Sequence, residues 1–125
     1  MKVLSNTAVF IAAYLVCMVP TYILPYFGSN SAMLAASAAA SGQGLLPQFW
    51  LHLLALAALV VIAWFRGAII GKPWLAAFPA IAAAFDMLPG LSVVPMVPTL
   101  LHILALVKGT SAEAANTAVT TKPTI

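Results

Sequence analysis

The chain has 125 residues, of which 64% are hydrophobic and 6% are charged. Soluble domains carry about a quarter charged residues, so this chain has too few polar side chains to cover a globular surface in water. The length allows one domain, and the five scattered basic residues form no stripe of the kind that binds nucleic acid. We therefore expect an integral membrane protein with the lipid bilayer as its solvent.

The first apolar run, residues 3 to 26, predicts a membrane-spanning helix, because about 20 mainly apolar residues cross about 30 Å of hydrocarbon. It is long for a signal-peptide core and no cleavage site follows closely, so we expect a retained helix. Pro20 and Pro25 should bend or end its far part. Cys17, the single cysteine, is predicted to be a packing residue.

The second predicted span covers residues 46 to 65 and has Pro47 in its first turn, where a helix tolerates proline. An uncharged connection, residues 28 to 44, precedes it, and the part from 31 to 40 is compatible with a short interfacial helix. Residues 66 to 73, RGAIIGKP, predict a short polar turn that contacts lipid headgroups or a cytoplasmic partner. The glycine spacing of this turn is one residue short of a phosphate-binding loop.

The third predicted span, residues 74 to 88, is short and is closed by Pro89-Gly90. The fourth, residues 91 to 108, is short and kinked, because Pro95 and Pro98 cannot both lie in an unbroken helix. Its regular part is predicted to run from Pro98 to Lys108, with Gly109 as the C-cap.

These elements make up an all-α polytopic membrane helix bundle of four transmembrane helices, residues 1 to 109, followed by a disordered cytoplasmic tail, residues 110 to 125. With both termini cytoplasmic, in a bacterial inner membrane, every basic residue lies on the inner side. Four residues are predicted to set this topology: Lys2, Arg66, Lys72 and Lys108. The alternative is a re-entrant fourth segment, which places Lys108 outside.

Aromatic residues predict the two membrane boundaries independently, since Trp and Tyr concentrate where lipid meets water. The outer group is Tyr22, Tyr26, Phe49 and Trp50, and the inner group is Trp64, Phe65 and Trp74.

Three ionisable residues are predicted to share one layer near the outer ends of their spans: His52, Asp86 and His102. Gln48 and Thr99 share the helix faces of the two histidines at i,i+4 and i,i+3 spacing. Polar groups avoid lipid, so we expect these faces, and the Tyr14, Cys17 and Thr21 edge of the first span, to point to a common interior.

Two interpretations of the layer stay open. In one, His52, Asp86 and His102 form a proton-relay or cation site that opens to the outside. In the other, Asp86 only holds one histidine or caps the fourth helix. A metal site on the same three residues is a weak candidate, because the sequence has no close-spaced ligand pair, and we expect no metal and no cofactor.

We expect no enzyme, since these three residues are the only candidate acids and bases. The predicted function is that of a small accessory or structural membrane subunit, which packs through its Ala-rich third helix against a larger membrane complex or itself. The alternative is a homo-oligomeric transporter or channel for protons or cations that uses the His/Asp/His layer.

Overall fold

The computed structural model describes residues 2–23, 40–42, 47–88 and 96–120. Every regular element within these ranges is helical, which confirms the all-α class. The elements are a 3-10 helix Lys2–Ser5, α1 Thr7–Ile23, α2 Pro47–Ile69, a second 3-10 helix Pro73–Ala76, α3 Ala77–Met87 and α4 Met96–Thr120.

Successive helices run in opposite directions. α1 packs along α2, and α3 packs along α4. The start of α1, the end of α2 and Gly109 of α4 meet at one end of the bundle, where Arg66 bonds to Leu4 and Gly109. We call this the Arg66 end. The side chains of His52 and Asp86 meet towards the opposite end, which we call the Asp86 end.

Each helix buries one face, and the spacing of the residues explains which. The buried residues of α2 recur at intervals of three or four: Phe49, His52, Leu56, Leu59, Ala63 and Arg66. Residues at this spacing share one face of a helix. The face of α2 is therefore an apolar stripe with a histidine near one end and an arginine at the other.

Outside this core the bundle is covered with large apolar side chains. Trp50 and Trp64 are each 56% exposed, and Leu54 is 65% exposed. The core itself consists of Phe10, Tyr14, Leu59, Ala63, Ala76 and Ala105. The described part of the chain thus buries two histidines and an arginine while it exposes tryptophans and leucines.

One predicted boundary near the Arg66 end, between the second span and the turn, is wrong. α2 continues through Arg66 and Gly67 to Ile69, so the turn begins at Ile70. Arg66 is buried on the inward face of this last part of the helix. Gly67 allows a close backbone approach, because a side chain at this position would collide with the carbonyl of Lys72. The turn itself uses Gly71, whose φ of 71° is a left-handed conformation that suits glycine.

The fourth helix also departs from the prediction at both ends. It begins at Met96, and Pro98 lies in its first turn, where the missing N–H needs no partner within the helix. It passes through Gly109, which is not a C-cap, and ends at Thr120, so residues 110 to 120 are helical rather than disordered. Four alanines in this stretch, which have the highest helix propensity, explain the extension.

By length and composition, one helix among the described residues could cross a membrane, over Phe49–Ile69. The other apolar helices are shorter, at Thr7–Ile23, Pro73–Met87 and Met96–Thr110. The helical segment at the third predicted span, Pro73–Met87, is short as predicted. Several predictions lie outside the described residues: Pro25, Tyr26, the interfacial helix apart from Ala40, Pro89-Gly90, Pro95 and the tail after Thr120.

Candidate functional site

His52 and Asp86 are directly bonded across the α2–α3 interface. The Nε2 atom of His52 lies 2.5 Å from Oδ2 of Asp86. Asp86 belongs to the buried face of α3 because it follows Pro79 and Ala82, both buried, at helical spacing. His52 is fully buried, whereas the Asp86 side chain is 31% exposed. The pair therefore joins a buried imidazole to a carboxylate at the bundle surface.

The second ring nitrogen of His52, Nδ1, is buried and has no hydrogen-bond partner among the described residues. A buried polar atom without a partner costs about 1–3 kcal/mol, which makes it an uncommon feature. The side chain of Gln48, predicted to share this face, lies outside the described part of the structure.

His102 bonds to Tyr14 rather than to Asp86. The Tyr14 hydroxyl lies 2.8 Å from Nδ1 of His102, and both side chains are buried. The rings also meet edge to face, with centroids 5.8 Å apart. His102 nevertheless lies within electrostatic range of Asp86. The predicted three-residue layer is thus two hydrogen-bonded pairs that are electrostatically coupled.

Thr99 also has a partner on α1. Its hydroxyl lies 2.8 Å from the hydroxyl of Tyr22, in an exposed position. Within the described ranges no group of three His, Cys, Asp or Glu side chains is arranged to hold a metal ion. The three residues of the weak metal candidate are thus not grouped around one point, because His102 bonds to a phenol instead of joining the other two.

The Tyr14, Cys17 and Thr21 edge of α1 faces inward only in part. Tyr14 is fully buried, and Cys17 packs against the core as predicted. Thr21 instead donates its hydroxyl to the carbonyl of Met18 on its own helix, at 2.6 Å. A threonine that is satisfied in this way does not need an interior partner.

A second polar cluster at the Arg66 end was not predicted. Arg66 is 1% exposed and its guanidinium joins three segments of the chain. Nη1 donates to the carbonyls of Leu4 at 2.9 Å and Ser5 at 2.6 Å. Nη2 donates to Oγ1 of Thr7 at 2.8 Å, and both Nε and Nη2 donate to the carbonyl of Gly109 at 3.1 Å. We call this set, with Phe10, the Arg66 clamp.

Phe10 and Gly109 complete the clamp. The guanidinium carbon lies 5.4 Å from the centroid of the Phe10 ring, within range of a cation–π interaction. A Cβ atom at position 109 would lie 2.6 Å and 2.8 Å from two atoms of that ring. Glycine is therefore required where α4 passes the Phe10 ring of α1.

The prediction that Arg66 lies in a turn that contacts lipid headgroups or a cytoplasmic partner is wrong for this residue, because it is helical and its side chain is inside the bundle. Phe49, predicted at the outer boundary, is also buried, at 5% exposure. The backbone positions of all four predicted topology-setting residues do gather at the Arg66 end: Lys2, Arg66, Lys72 and Lys108.

The signal for the clamp was present in the sequence as a heptad spacing. Arg66 follows His52 by two heptads, Gly109 follows His102 by one, and Thr7 precedes Tyr14 by one. Positions seven apart share a helix face. Because Arg66 shares the helix face of His52, an inward-facing His52 also turns Arg66 towards the interior.

No family model, curated protein or solved structure matches this chain. The function is therefore argued from the geometry alone.

Proposed function

We propose that this chain is an integral membrane protein whose four helices cross the bilayer, with the Arg66 end towards the cytoplasm. One observation carries the proposal: the bundle buries His52, Arg66 and His102 while it exposes many large apolar side chains, Trp, Leu and Val among them. In water this distribution is unfavourable, whereas in lipid it places each group in its preferred surroundings.

The length of α2 supports the proposal. Its 23 residues extend about 35 Å at 1.5 Å per residue, enough for the hydrocarbon core. The shorter helices are accommodated if the bilayer thins locally or if their flanking segments complete the crossing. The basic positions at the Arg66 end favour a cytoplasmic location for that end, in an inner membrane.

Cysteine labelling tests this orientation. In a Cys17→Ala background, Lys72→Cys lies at the Arg66 end and Leu88→Cys, at an exposed position, lies at the Asp86 end. We expect a membrane-impermeant maleimide to label position 88 in intact spheroplasts and position 72 only after lysis. Labelling of both positions in intact spheroplasts would refute the orientation.

Within the membrane we propose a non-enzymatic accessory or structural role, in which the bundle packs against other membrane helices. α3 exposes Ala77, Ala80 and Ala84 at helical spacing. Small residues let helix backbones approach closely, and the resulting van der Waals packing is one of the forces that associate helices in lipid. The clamp supports this role as well, because it joins α2 to α4 and to the start of the chain.

Native mass spectrometry in mild detergent, with co-purifying subunits measured, tests the accessory role. Ala80→Leu enlarges an exposed position on α3, and Ala12→Leu makes the same change at an exposed position on α1. We expect Ala80→Leu to lose a stoichiometric partner or a second copy, and Ala12→Leu to keep it. Unchanged assembly in both variants would count against packing through α3.

A second candidate, a proton or cation transporter in which several copies assemble, is favoured by one observation. The His52–Asp86 bond joins two residues that the sequence predicted in one polar layer. Proton flux into proteoliposomes tests it, since a transporter should lose the flux on Asp86→Asn. We prefer the accessory role because a buried arginine opposes the passage of cations through a single bundle.

A further inference from the structure

The bond between His52 and Asp86 determines which histidine nitrogen can accept a proton. A carboxylate only accepts hydrogen bonds, so an ionised Asp86 requires the proton of a neutral His52 on Nε2. Nδ1 is then a bare lone pair, buried and without a donor among the described residues. A carboxylate that sets the tautomer of an imidazole is a recurring way to prepare its other nitrogen for a ligand or a proton.

Addition of one proton to this pair has the same result at Nδ1 in either microstate. The proton yields an imidazolium beside a carboxylate, or a neutral imidazole beside a protonated carboxyl group. In the first state both ring nitrogens carry hydrogen. In the second, Nε2 accepts from the carboxyl group, so the single ring proton is on Nδ1. The charge of the pair changes from −1 to 0, and Nδ1 changes from an acceptor to a donor.

The exposed part of the pair is its carboxylate. The carboxylate of Asp86 is 31% exposed and connects the buried imidazole to the surface. Fourteen residues further along α2, about 21 Å away, the clamp joins the end of α2 to α4 and the start of α1. Its fixed positive charge opposes a proton at that end.

We propose that His52 and Asp86 form a reversible binding site for one proton, which exchanges with the solution at the Asp86 end and does not cross the bundle. The site gives an accessory subunit a response to pH on one side of the membrane. It goes beyond the accessory role and does not depend on a partner.

The helices packed against the site carry other ionisable groups. Tyr14, Cys17 and Tyr22 belong to α1 and His102 to α4, while Lys108 of α4 and Arg66 of α2 lie at the opposite end of the bundle. His102 is the other histidine of the chain, and the charge of Asp86 acts on it electrostatically. An experiment must therefore follow both histidines separately.

The chain has two histidines, so nitrogen-15 NMR of histidine-labelled protein in lipid nanodiscs can observe each ring. His102→Gln identifies the His52 resonances. Between about pH 8 and about pH 5, we expect Nδ1 of His52 to change from bare to protonated. Asp86→Asn removes the counter-charge of the imidazolium, so the change should move to lower pH by about 1–3 units.

Two results would overturn the binding site: an Nδ1 resonance of wild-type His52 that stays in one state across this range, or a response that Asp86→Asn leaves unchanged. Because the wild-type titration is decisive by itself, the test does not depend on the folding of the variant. Proton flux in proteoliposomes above that of protein-free vesicles would overturn the one-sided access. The same titration on Ala80→Leu separates this site from the accessory role, because loss of assembly there should leave His52 unaffected.

Discussion

Replacement of Arg66 by methionine should destabilise the bundle substantially. Methionine keeps a long, unbranched side chain but has no hydrogen-bond donor. Four oxygens lose their bonds to the guanidinium: the carbonyls of Leu4, Ser5 and Gly109, and the hydroxyl of Thr7. The bonds to Leu4 and Gly109 are buried.

The size of the effect follows from these contacts. An acceptor left buried without a donor costs about 1–3 kcal/mol, so the two buried carbonyls contribute about 2–6 kcal/mol. The lost cation–π contact with Phe10 adds about 0.5–2 kcal/mol. Relief from burying a charge offsets part of this sum. We expect a net loss of about 3 kcal/mol in the free energy of unfolding.

Unfolding in mixed micelles with a rising fraction of sodium dodecyl sulfate, followed by circular dichroism, measures this difference. Arg66→Lys is the matched control, since lysine keeps the charge but cannot donate in a fork to α1 and α4 at once. We expect Arg66→Lys to fall between wild type and Arg66→Met. A loss below about 0.5 kcal/mol in Arg66→Met, the range of ordinary surface substitutions, would refute a structural role for the clamp.

Further substitutions test individual contacts by the same unfolding measurement. Gly109→Ala should destabilise by about 1–3 kcal/mol despite the better helix propensity of alanine, because the new Cβ atom meets the Phe10 ring. Phe10→Leu should make Gly109→Ala less costly, and additive effects in this double-mutant cycle would contradict the close contact. Tyr14→Phe should cost about 1–3 kcal/mol, since it leaves a buried nitrogen of His102 without its partner. Tyr22→Phe removes a bond of the same type at an exposed position and should cost less than about 0.5 kcal/mol; equal losses in the two tyrosine variants would argue against burial as the cause.

The polar layer near the Asp86 end could be anticipated in part from the sequence. Helical spacing placed the histidines and Asp86 on inward faces, because two residues at i,i+3 or i,i+4 share a face whatever the tertiary structure. Which partners meet depends on the rotation and depth of each helix relative to its neighbours. The packing of the helices therefore pairs His52 with Asp86 and His102 with Tyr14 through hydrogen bonds.

Helix ends were less predictable than helix faces. Local signals at Arg66-Gly67 and at Gly109 are typical of turns and C-caps, and both were misleading. In each case a long-range contact decided the outcome. The Gly67 and Gly109 backbones lie where a side chain would collide with another segment, so these glycines serve close packing rather than chain reversal.

The sequence by itself determined the helical class, the apolar outer surface and the inward faces of the helices. All three depend on composition and on the 3.6-residue period of the helix. Helical spacing from His52 places Arg66 on the inward face of α2, but only the tertiary structure decided which groups its guanidinium meets. A basic residue next to glycine is a local pattern typical of a turn. In the folded chain, however, the Arg66 guanidinium bonds to three backbone carbonyls and a hydroxyl from segments more than forty residues away. Contacts over such separations arise only when the helices have packed, and no local pattern encodes them.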